Sequence, residues 1–242
     1  HSITSASEPW ATAAFTTHAA WLGETFGLMQ GFEHHETAWR DAPANTRAFL
    51  RWHDRAQPRR LFAFLHYYDP HSEARSRGTL PYDSTPELVE QFAGPAPEGF
   101  TGHVAGYPEQ NCSKYLQAID KGIEPLTPEL REYLVGLYDA GVRRMDDHLR
   151  DLFVELRRRG LLEDALVVIT SDHGEEFGEH GGMLHGGWHG EIQRIPLVVL
   201  APFLDGEHAP RVDSVTRSID LAPTILDLAG LPLLGQGRSL RD

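Results

Sequence analysis

The sequence predicts an α/β fold, with a largely parallel central sheet flanked by helices. Short apolar runs rich in β-branched residues recur along the chain, and amphipathic helical segments separate them, which is the order of elements that parallel sheets require. The clearest run begins at Leu166 (LVVI) and ends abruptly in Ser171, Asp172 and His173. Such runs are typical of buried strands in parallel sheets, and ligand sites in these folds lie beyond the carboxyl ends of the strands.

The composition is that of a globular protein and excludes several classes of function. The 242 residues suffice for one domain with a full core, so we expect a single domain over residues 1–242. The 35 acidic and 22 basic residues give a net charge of −13, which argues against nucleic acid as a partner. No apolar stretch approaches the length of a membrane span, and no targeting segment stands at the start. The single cysteine, Cys112, excludes an internal disulfide, so both a cytoplasmic and a periplasmic location remain open.

The first third of the chain predicts two strands with a helix between them. Trp10–Phe15 (WATAAF) is a short apolar run that predicts a strand. Asn45–Ala56 places its apolar residues on one face of an amphipathic helix, which Pro58 closes. Leu61–Tyr68 (LFAFLHYY) predicts another buried strand, and it also ends in polar residues, among them His71.

The segment Ser72–Thr127 is rich in proline and glycine and predicts a long surface excursion. Excursions of this length in compact domains are often lids or substrate-binding loops. Cys112 lies in this segment and has no neighbour that would activate it, so we interpret it as an inert thiol.

The remaining elements continue the alternation of helices and strands. Apolar residues at three- and four-residue spacing predict a long helix from Pro128 to Arg159, capped by Thr127 and ended by Gly160. Ile195–Leu200 (IPLVVL) predicts a further strand, and Ser218–Ala229 predicts a capped helix.

The polar residues at two strand ends are the candidate site. Asp172 and His173 supply an oxygen and a nitrogen donor at one strand terminus, which suits a divalent metal ion. His71 stands at the end of a second strand, although a surface-loop histidine is an equally good interpretation of its spacing. The glycine-rich loop that follows holds three further histidines: His180, His185 and His189. Histidines in such loops are often simply solvated.

From Tyr138 onward the chain resembles the sulfatase-type members of the alkaline phosphatase superfamily. The similar segments are YDAGVRRMDDHLRDLFVELRRRGLLEDALVVITSDHGEEFGEHGGMLHGG, EIQRIPLVV, SIDLAPTILDLAGL and GRSL. Earlier, FAFLHYYDPH is similar to that family's strand leading to a Pro-His pair, and WATAAF with FGLMQGF is similar to its second-strand region. The resemblance implies an alkaline phosphatase-like fold and a single sulfatase-like catalytic domain.

The resemblance also implies an activity and a role for four residues. The activity would be hydrolysis of a sulfate or phosphate ester, carried by a small molecule or a saccharide, at a bound divalent cation. Asp172 and His173 would be metal ligands. His71 would contact the sulfuryl or phosphoryl oxygens, and His185 would be a further catalytic-site residue.

The donor set leaves the metal and the reaction open. Many sulfatases pair Asp with Asn at this point and bind Ca²⁺, whereas His173 adds a nitrogen donor that suits Mn²⁺ or Zn²⁺ better. The Asp-His pair also occurs in phosphodiesterase, phosphonate and phosphoryl-transfer branches of the superfamily. A catalytically silent, metal-binding relative is the third alternative.

One part of the family's pattern is missing from this sequence. The family's nucleophile lies in a Cys/Ser-x-Pro-x-Arg motif after a pair of metal-binding aspartates on the first strand, and Cys112 is followed by a different sequence. The Gly-Lys-x-His motif of many arylsulfatases is also missing. We therefore expect the first strand, its aspartates and the nucleophile to precede His1. Without that strand a central strand would be unpaired, which predicts marginal stability for this chain in isolation.

Overall fold

A computed structural model describes residues 9–17, 22–72, 80–82, 84–102, 112–202, 211 and 213–241. The described residues form two compact units: the first lies within 1–152 and 175–193, and the second within 153–174 and 194–242. In chain order the main elements are β1 (Ala11–Thr17), β2 (His34–Ala38), α1 (Ala42–Ala56), β3 (Leu61–Leu65), α2 (Pro86–Phe92), α3 (Cys112–Asp120), α4 (Pro128–Arg158), β4 (Val167–Thr170), β5 (Glu176–Phe177), β6 (Met183–Leu184), α5 (Gly190–Gln193), β7 (Leu197–Leu200) and α6 (Leu221–Leu228). Short 3₁₀ helices occur at Glu24–Phe26 and Ser218–Asp220.

A three-stranded parallel sheet organises the first unit. Its order is β2-β1-β3, and Ala13 of the central strand lies opposite His34 on one side and Ala63 on the other. Because β1 is paired on both sides, its residues from Ala13 to Thr17 are fully buried. The sheet and its helices confirm the predicted α/β class, and the predicted marginal stability stays a prediction.

Helix α1 connects β2 to β3 and is fastened to the ends of the sheet strands. The carboxylate of Asp41 caps its start by accepting a hydrogen bond from the backbone N–H of Ala44, at 2.8 Å. The buried side-chain amide of Asn45 donates to the backbone carbonyls of Phe15 (2.9 Å) and His66 (3.0 Å). These bonds join the carboxyl ends of β1 and β3, so they help to set the course of the chain toward His71.

The predicted surface excursion is wrong for a large part of Ser72–Thr127. Helix α3 lies there and is buried along one face, and Tyr82 is also fully buried. Both pack against α4 in the main hydrophobic core, whose buried members are Tyr82, Tyr115, Leu116, Ile119, Leu130, Tyr133, Leu134, Leu137, Phe177 and Met183. The apolar pattern of a helix of only nine residues is too short to stand out from the surrounding glycines and prolines.

Helix α4 matches the sequence prediction closely. It spans Pro128–Arg158, and the hydroxyl of Thr127 accepts a hydrogen bond from the backbone N–H of Leu130 at 3.2 Å, as the predicted cap requires. On the same helix, Arg143 and Arg150 pair with the carboxylate of Asp147 at 3.1 and 2.9 Å.

The second unit contains β4 and β7, and here the predicted strand environment is wrong. The two strands pair antiparallel, with Val168 opposite Val199. They are also incompletely buried, since Val198, Val199 and Leu200 are each more than two-fifths exposed. An apolar run predicts a strand, but it does not indicate the direction of the partner strand. That direction depends on the path of the chain between the two strands.

A buried carboxylate ties the end of the chain to α6 in the second unit. Asp220 is 1% exposed, and its oxygens accept hydrogen bonds from the guanidinium and backbone N–H of Arg217 and from the backbone N–H of Arg238. The hydrogen bonds from the Arg217 side chain, followed by that from Arg238, lower the pKa of Asp220 to about 2. None of the helices in the described ranges combines the length and apolar character that a bilayer crossing needs.

Candidate active site

His71 lies just beyond β3, in a turn that neighbouring side chains hold in place. The backbone N–H of His71 donates to the carbonyl of Tyr68 at 3.0 Å. Between them, the buried carboxylate of Asp69 accepts a hydrogen bond from the backbone N–H of Ala42 at 2.8 Å, at the start of α1. The turn is therefore fixed to the helix N-terminus, where a negative charge is favoured.

The imidazole of His71 is oriented by Tyr68. The two rings stack with centroids 4.2 Å apart, and the phenol oxygen lies 3.2 Å from Nε2 of the histidine. Stacking and a hydrogen bond together leave the ring little freedom, which is what a substrate-contacting group requires.

His185 reaches the same place from a different part of the chain. It follows β6 directly, and its ring centroid lies 5.1 Å from that of His71, at an interplanar angle of 65°. Its Nδ1 is 2.9 Å from Oε1 of Glu175, and its side chain is 28% exposed. The first unit thus brings together the two histidines that the sequence predicts as catalytic-site residues.

The short hairpin of β5 and β6 explains the pairing of His185 with Glu175. Glu176 lies opposite Leu184 and Phe177 opposite Met183 in its antiparallel register. Continuing that register by one residue places Glu175 opposite His185. Phe177 and Met183 anchor the hairpin in the core.

Asp172 and His173 lie at the end of β4, in the second unit. The carboxylate of Asp172 is 86% exposed, and its Oδ1 lies 3.7 Å from Nε2 of His173. Nδ1 of His173 is 2.8 Å from the backbone carbonyl of Gly174. A hydrogen bond to that carbonyl requires the proton on Nδ1, so neutral His173 carries its lone pair on Nε2, the nitrogen nearer the carboxylate.

The other two histidines of the glycine-rich loop are placed differently. His180 and His189 stack on each other with centroids 3.8 Å apart, and His180 Nε2 lies 3.2 Å from the carboxylate of Glu191. Both rings are exposed parts of the surface. Their contacts are with each other and with this acidic residue.

Sequence reasoning missed three residues of the site. Tyr68 precedes His71 by three residues, a local signal that was available in the motif HYYDPH. Glu175 and Tyr82 are 93 residues apart in the sequence, and the Tyr82 phenol donates a hydrogen bond to the Glu175 carboxylate at 3.2 Å. No local sequence pattern predicts such a contact, because it forms only when the first unit packs.

The fold and these strand-end residues define an alkaline phosphatase-like α/β protein. A solved phosphonate monoester hydrolase from Silicibacter pomeroyi superposes with a TM-score of 0.65 at 22% identity, covering 96% of this chain and 58% of that one. The chain belongs to the sulfatase family, since the family model described as Sulfatase matches residues 37–231.

Two curated relatives show how far the sequence similarity extends. The human N-sulphoglucosamine sulphohydrolase is 32% identical over 190 residues, which are 77% of this chain and 34% of the relative. The multifunctional alkaline phosphatase superfamily protein PehA of Trinickia caryophylli is 37% identical over 115 residues, which are 46% of this chain and 22% of the relative. This chain therefore spans about a third or less of the length of these relatives.

Proposed function

We propose that this chain carries the C-terminal part of the catalytic site of a metal-dependent hydrolase of sulfate esters. The observation that carries the proposal is the match to the sulfatase family over residues 37–231, a range that includes His71, Asp172, His173 and His185. The substrate class that fits is a small molecule or a saccharide bearing a sulfate ester, as the name of another relative, the N-acetylglucosamine-6-O-sulfatase of Bacteroides thetaiotaomicron, suggests.

The two histidines of the first unit would act on the ester group itself. An imidazolium can bind the oxygens of an anionic sulfuryl group, and it can also give its proton to the leaving oxygen. His71 and His185 support this role because their rings lie 5.1 Å apart and each is oriented by a hydrogen-bonding neighbour. Two imidazole rings held at this separation can each hydrogen-bond a different oxygen of one tetrahedral centre.

Asp172 and His173 would hold the divalent cation. Their chemistry fits, because one offers an exposed carboxylate and the other a nitrogen whose lone pair is set by the bond from Nδ1 to a backbone carbonyl. A bound divalent cation supplies charge that offsets the negative charge developing on the ester oxygens. The family resemblance favours Ca²⁺, and the nitrogen donor favours Mn²⁺ or Zn²⁺.

Hydrolysis of phosphodiesters or phosphonates is the second candidate function. His173 favours it, since an Asp-His donor pair is shared with the phosphoryl-transfer branches of the superfamily. Sulfate and phosphate esters both present a tetrahedral anionic centre, so the residues described above would serve either reaction.

A substrate panel with an Asp172→Ala variant tests the proposal in the full-length protein. Hydrolysis of an aryl sulfate, an aryl phosphate and an aryl phosphodiester is measured for both proteins, together with the bound metal. We expect the sulfate ester to be preferred, and the variant to lose at least about 10²-fold in kcat, because the charge that stabilises the transition state is lost. The matched control is Asp164→Ala, which removes an exposed carboxylate just before the start of β4, at the opposite end of the strand from Asp172.

Each other outcome identifies a different function. A preference for phosphodiester would favour the second candidate. Tight metal binding without turnover of any ester would identify a catalytically silent metal-binding relative. Full activity of Asp172→Ala would refute the assignment of Asp172.

A further inference from the structure

The carboxylate of Glu175 has a different partner on each oxygen. Its side chain is only 5% exposed, Oε1 lies 2.9 Å from Nδ1 of His185, and Oε2 accepts a hydrogen bond from the Tyr82 hydroxyl at 3.2 Å. A buried carboxylate needs such partners, because burial without them is costly. Both of its oxygens are therefore committed, and the carboxylate cannot rotate without losing a bond.

Tyr82 is fixed in place by burial and by contacts with two other aromatic rings. It is 2% exposed, and its ring makes edge-type or tilted contacts with Tyr138 (5.3 Å) and Phe177 (6.0 Å). Its backbone has a φ of +59°, a left-handed conformation that is uncommon outside glycine. Such a conformation persists where the surroundings over-determine it, and it often occurs at functional sites.

The Tyr82 hydroxyl is a permanent donor to Glu175. Burial, followed by the negative charge of Glu175, raises the pKa of Tyr82 well above its ordinary value. The phenol therefore keeps its proton at neutral and mildly alkaline pH. It anchors one oxygen of the carboxylate and leaves the other for His185.

We propose that Glu175, anchored by Tyr82, is a positioning residue that holds His185 with its proton on Nδ1 and so assigns Nε2 to the ester group. The proposal rests on the proposed function of the two histidines. A carboxylate accepts hydrogen bonds only, so the nitrogen facing it must carry a proton. Neutral His185 then has its lone pair on Nε2, and protonated His185 presents an Nε2–H donor. Both forms use the same nitrogen for the chemistry.

A glutamine at position 175 separates this role from simple space filling. Glutamine has nearly the same shape, but one end of its amide is an acceptor and the other a donor. The Tyr82 proton needs an acceptor, so the amide oxygen turns toward Tyr82 and the NH₂ group turns toward His185. His185 must then accept at Nδ1 and carry its proton on Nε2. Because an N–H donor faces Nδ1, that nitrogen cannot take a second proton, and the ring cannot become the imidazolium that the proposed role requires.

The experiment combines ¹⁵N NMR of the histidine rings with steady-state kinetics on the full-length protein. Spectra are recorded at high pH, where the ring signals no longer change with pH, and His185 is assigned by difference from a His185→Gln variant. The kinetic substrate is whichever ester the panel described above identifies. The matched control is Glu176→Gln, the neighbouring buried carboxylate, which accepts a hydrogen bond from the backbone N–H of His180 instead.

We expect wild-type His185 to be protonated at Nδ1, and Glu175→Gln to convert it to the Nε2-protonated tautomer. Turnover in Glu175→Gln should fall by roughly 10²–10⁴-fold in kcat with KM changed less than about threefold, the range that general acid–base groups contribute. Glu176→Gln should leave the His185 tautomer unchanged. Tyr82→Phe keeps the carboxylate opposite His185, so it should retain the wild-type tautomer and lose less kcat than Glu175→Gln.

Three results would overturn the proposal. One is a wild-type His185 protonated at Nε2, and another is a Glu175→Gln protein that keeps the Nδ1-protonated tautomer. The third is an equal loss of kcat in Tyr82→Phe without any change of tautomer, since the network would then act through packing. A wild-type protein that hydrolyses none of the esters contradicts the proposed function instead, and the NMR result still decides whether Glu175 sets the tautomer.

Discussion

Replacing Gly136 by alanine tests how closely α4 approaches the end of α2. A Cβ atom at this position would lie 2.5 Å from the Cα of Ala93 and 2.6 Å from the carbonyl oxygen of Phe92. Carbon atoms in ordinary contact are about 3.5–4.0 Å apart, so the two backbones would have to separate by about 1 Å. Both close atoms belong to the backbone, and a change of side-chain rotamer cannot relieve the contact.

The sign of the effect follows from two opposing contributions to the free energy of unfolding. Alanine is favoured over glycine inside a helix by about 1 kcal/mol. Overpacking of a close contact typically costs about 1–3 kcal/mol. Because backbone atoms are involved, we expect the upper part of that range and a net loss of about 1–2 kcal/mol in Gly136→Ala.

Urea denaturation and hydrogen exchange together measure this prediction. The midpoint of the urea transition should fall with little change in its slope, and exchange should rise in α2, which has no fully buried residue to hold it once it is displaced. The control is Glu132→Ala, at an exposed position of the same helix, which should change stability by less than about 0.5 kcal/mol. A Gly136→Ala protein as stable as the wild type, with unchanged exchange over residues 86–92, would refute the close approach of the two helices.

Three further predictions concern stability and reactivity. Leu134→Ala should destabilise the protein by about 2–5 kcal/mol in urea denaturation, because Leu134 is fully buried in the main core; a loss below about 1 kcal/mol would contradict this packing. Asp220 has a folded-state pKa of about 2 against an ordinary 3.8, so its contribution to stability is present above that ordinary value and is lost as the pH falls toward 2. The difference in stability between wild type and Asp220→Asn should therefore be largest near neutral pH and decrease as the pH falls through about 2, and a difference independent of pH would disagree. The Cys112 thiol is 2% exposed and should react with a thiol reagent only slowly until urea unfolds the protein; rapid reaction in the native state would show that the thiol is accessible.

Sequence patterns predicted the elements whose signal lies within their own residues. Helix α4 carries an apolar stripe over its length together with its own cap, and both are confirmed. β1 and β3 are apolar enough to be identified as strands without knowledge of their partners. The polar residues that follow the predicted strands identified His71, Asp172 and His173 as candidates from position alone.

Elements that depend on their neighbours were missed. The sequence of β2, His34–Ala38 (HHETA), has no apolar alternation, and it is a strand because it pairs with β1 along its length. The hydroxyl of Thr37 bonds that of Thr16 across this pair at 2.8 Å. Strand propensity mostly reflects such pairing and burial, so a polar edge strand gives little signal of its own.

The amino-acid sequence by itself determined the α/β class, the long helix and the family, because these depend on local periodicity and on motifs within short segments. Only the tertiary structure decided the direction of β4 against β7 and the surroundings of His185. The contact of His185 with Glu175 follows from the register of a hairpin, and that of Glu175 with Tyr82 closes a loop of 93 residues. Hydrogen bonds of this kind require two distant segments to be packed on the same core, and the physical information for that packing is spread over all the residues that form it.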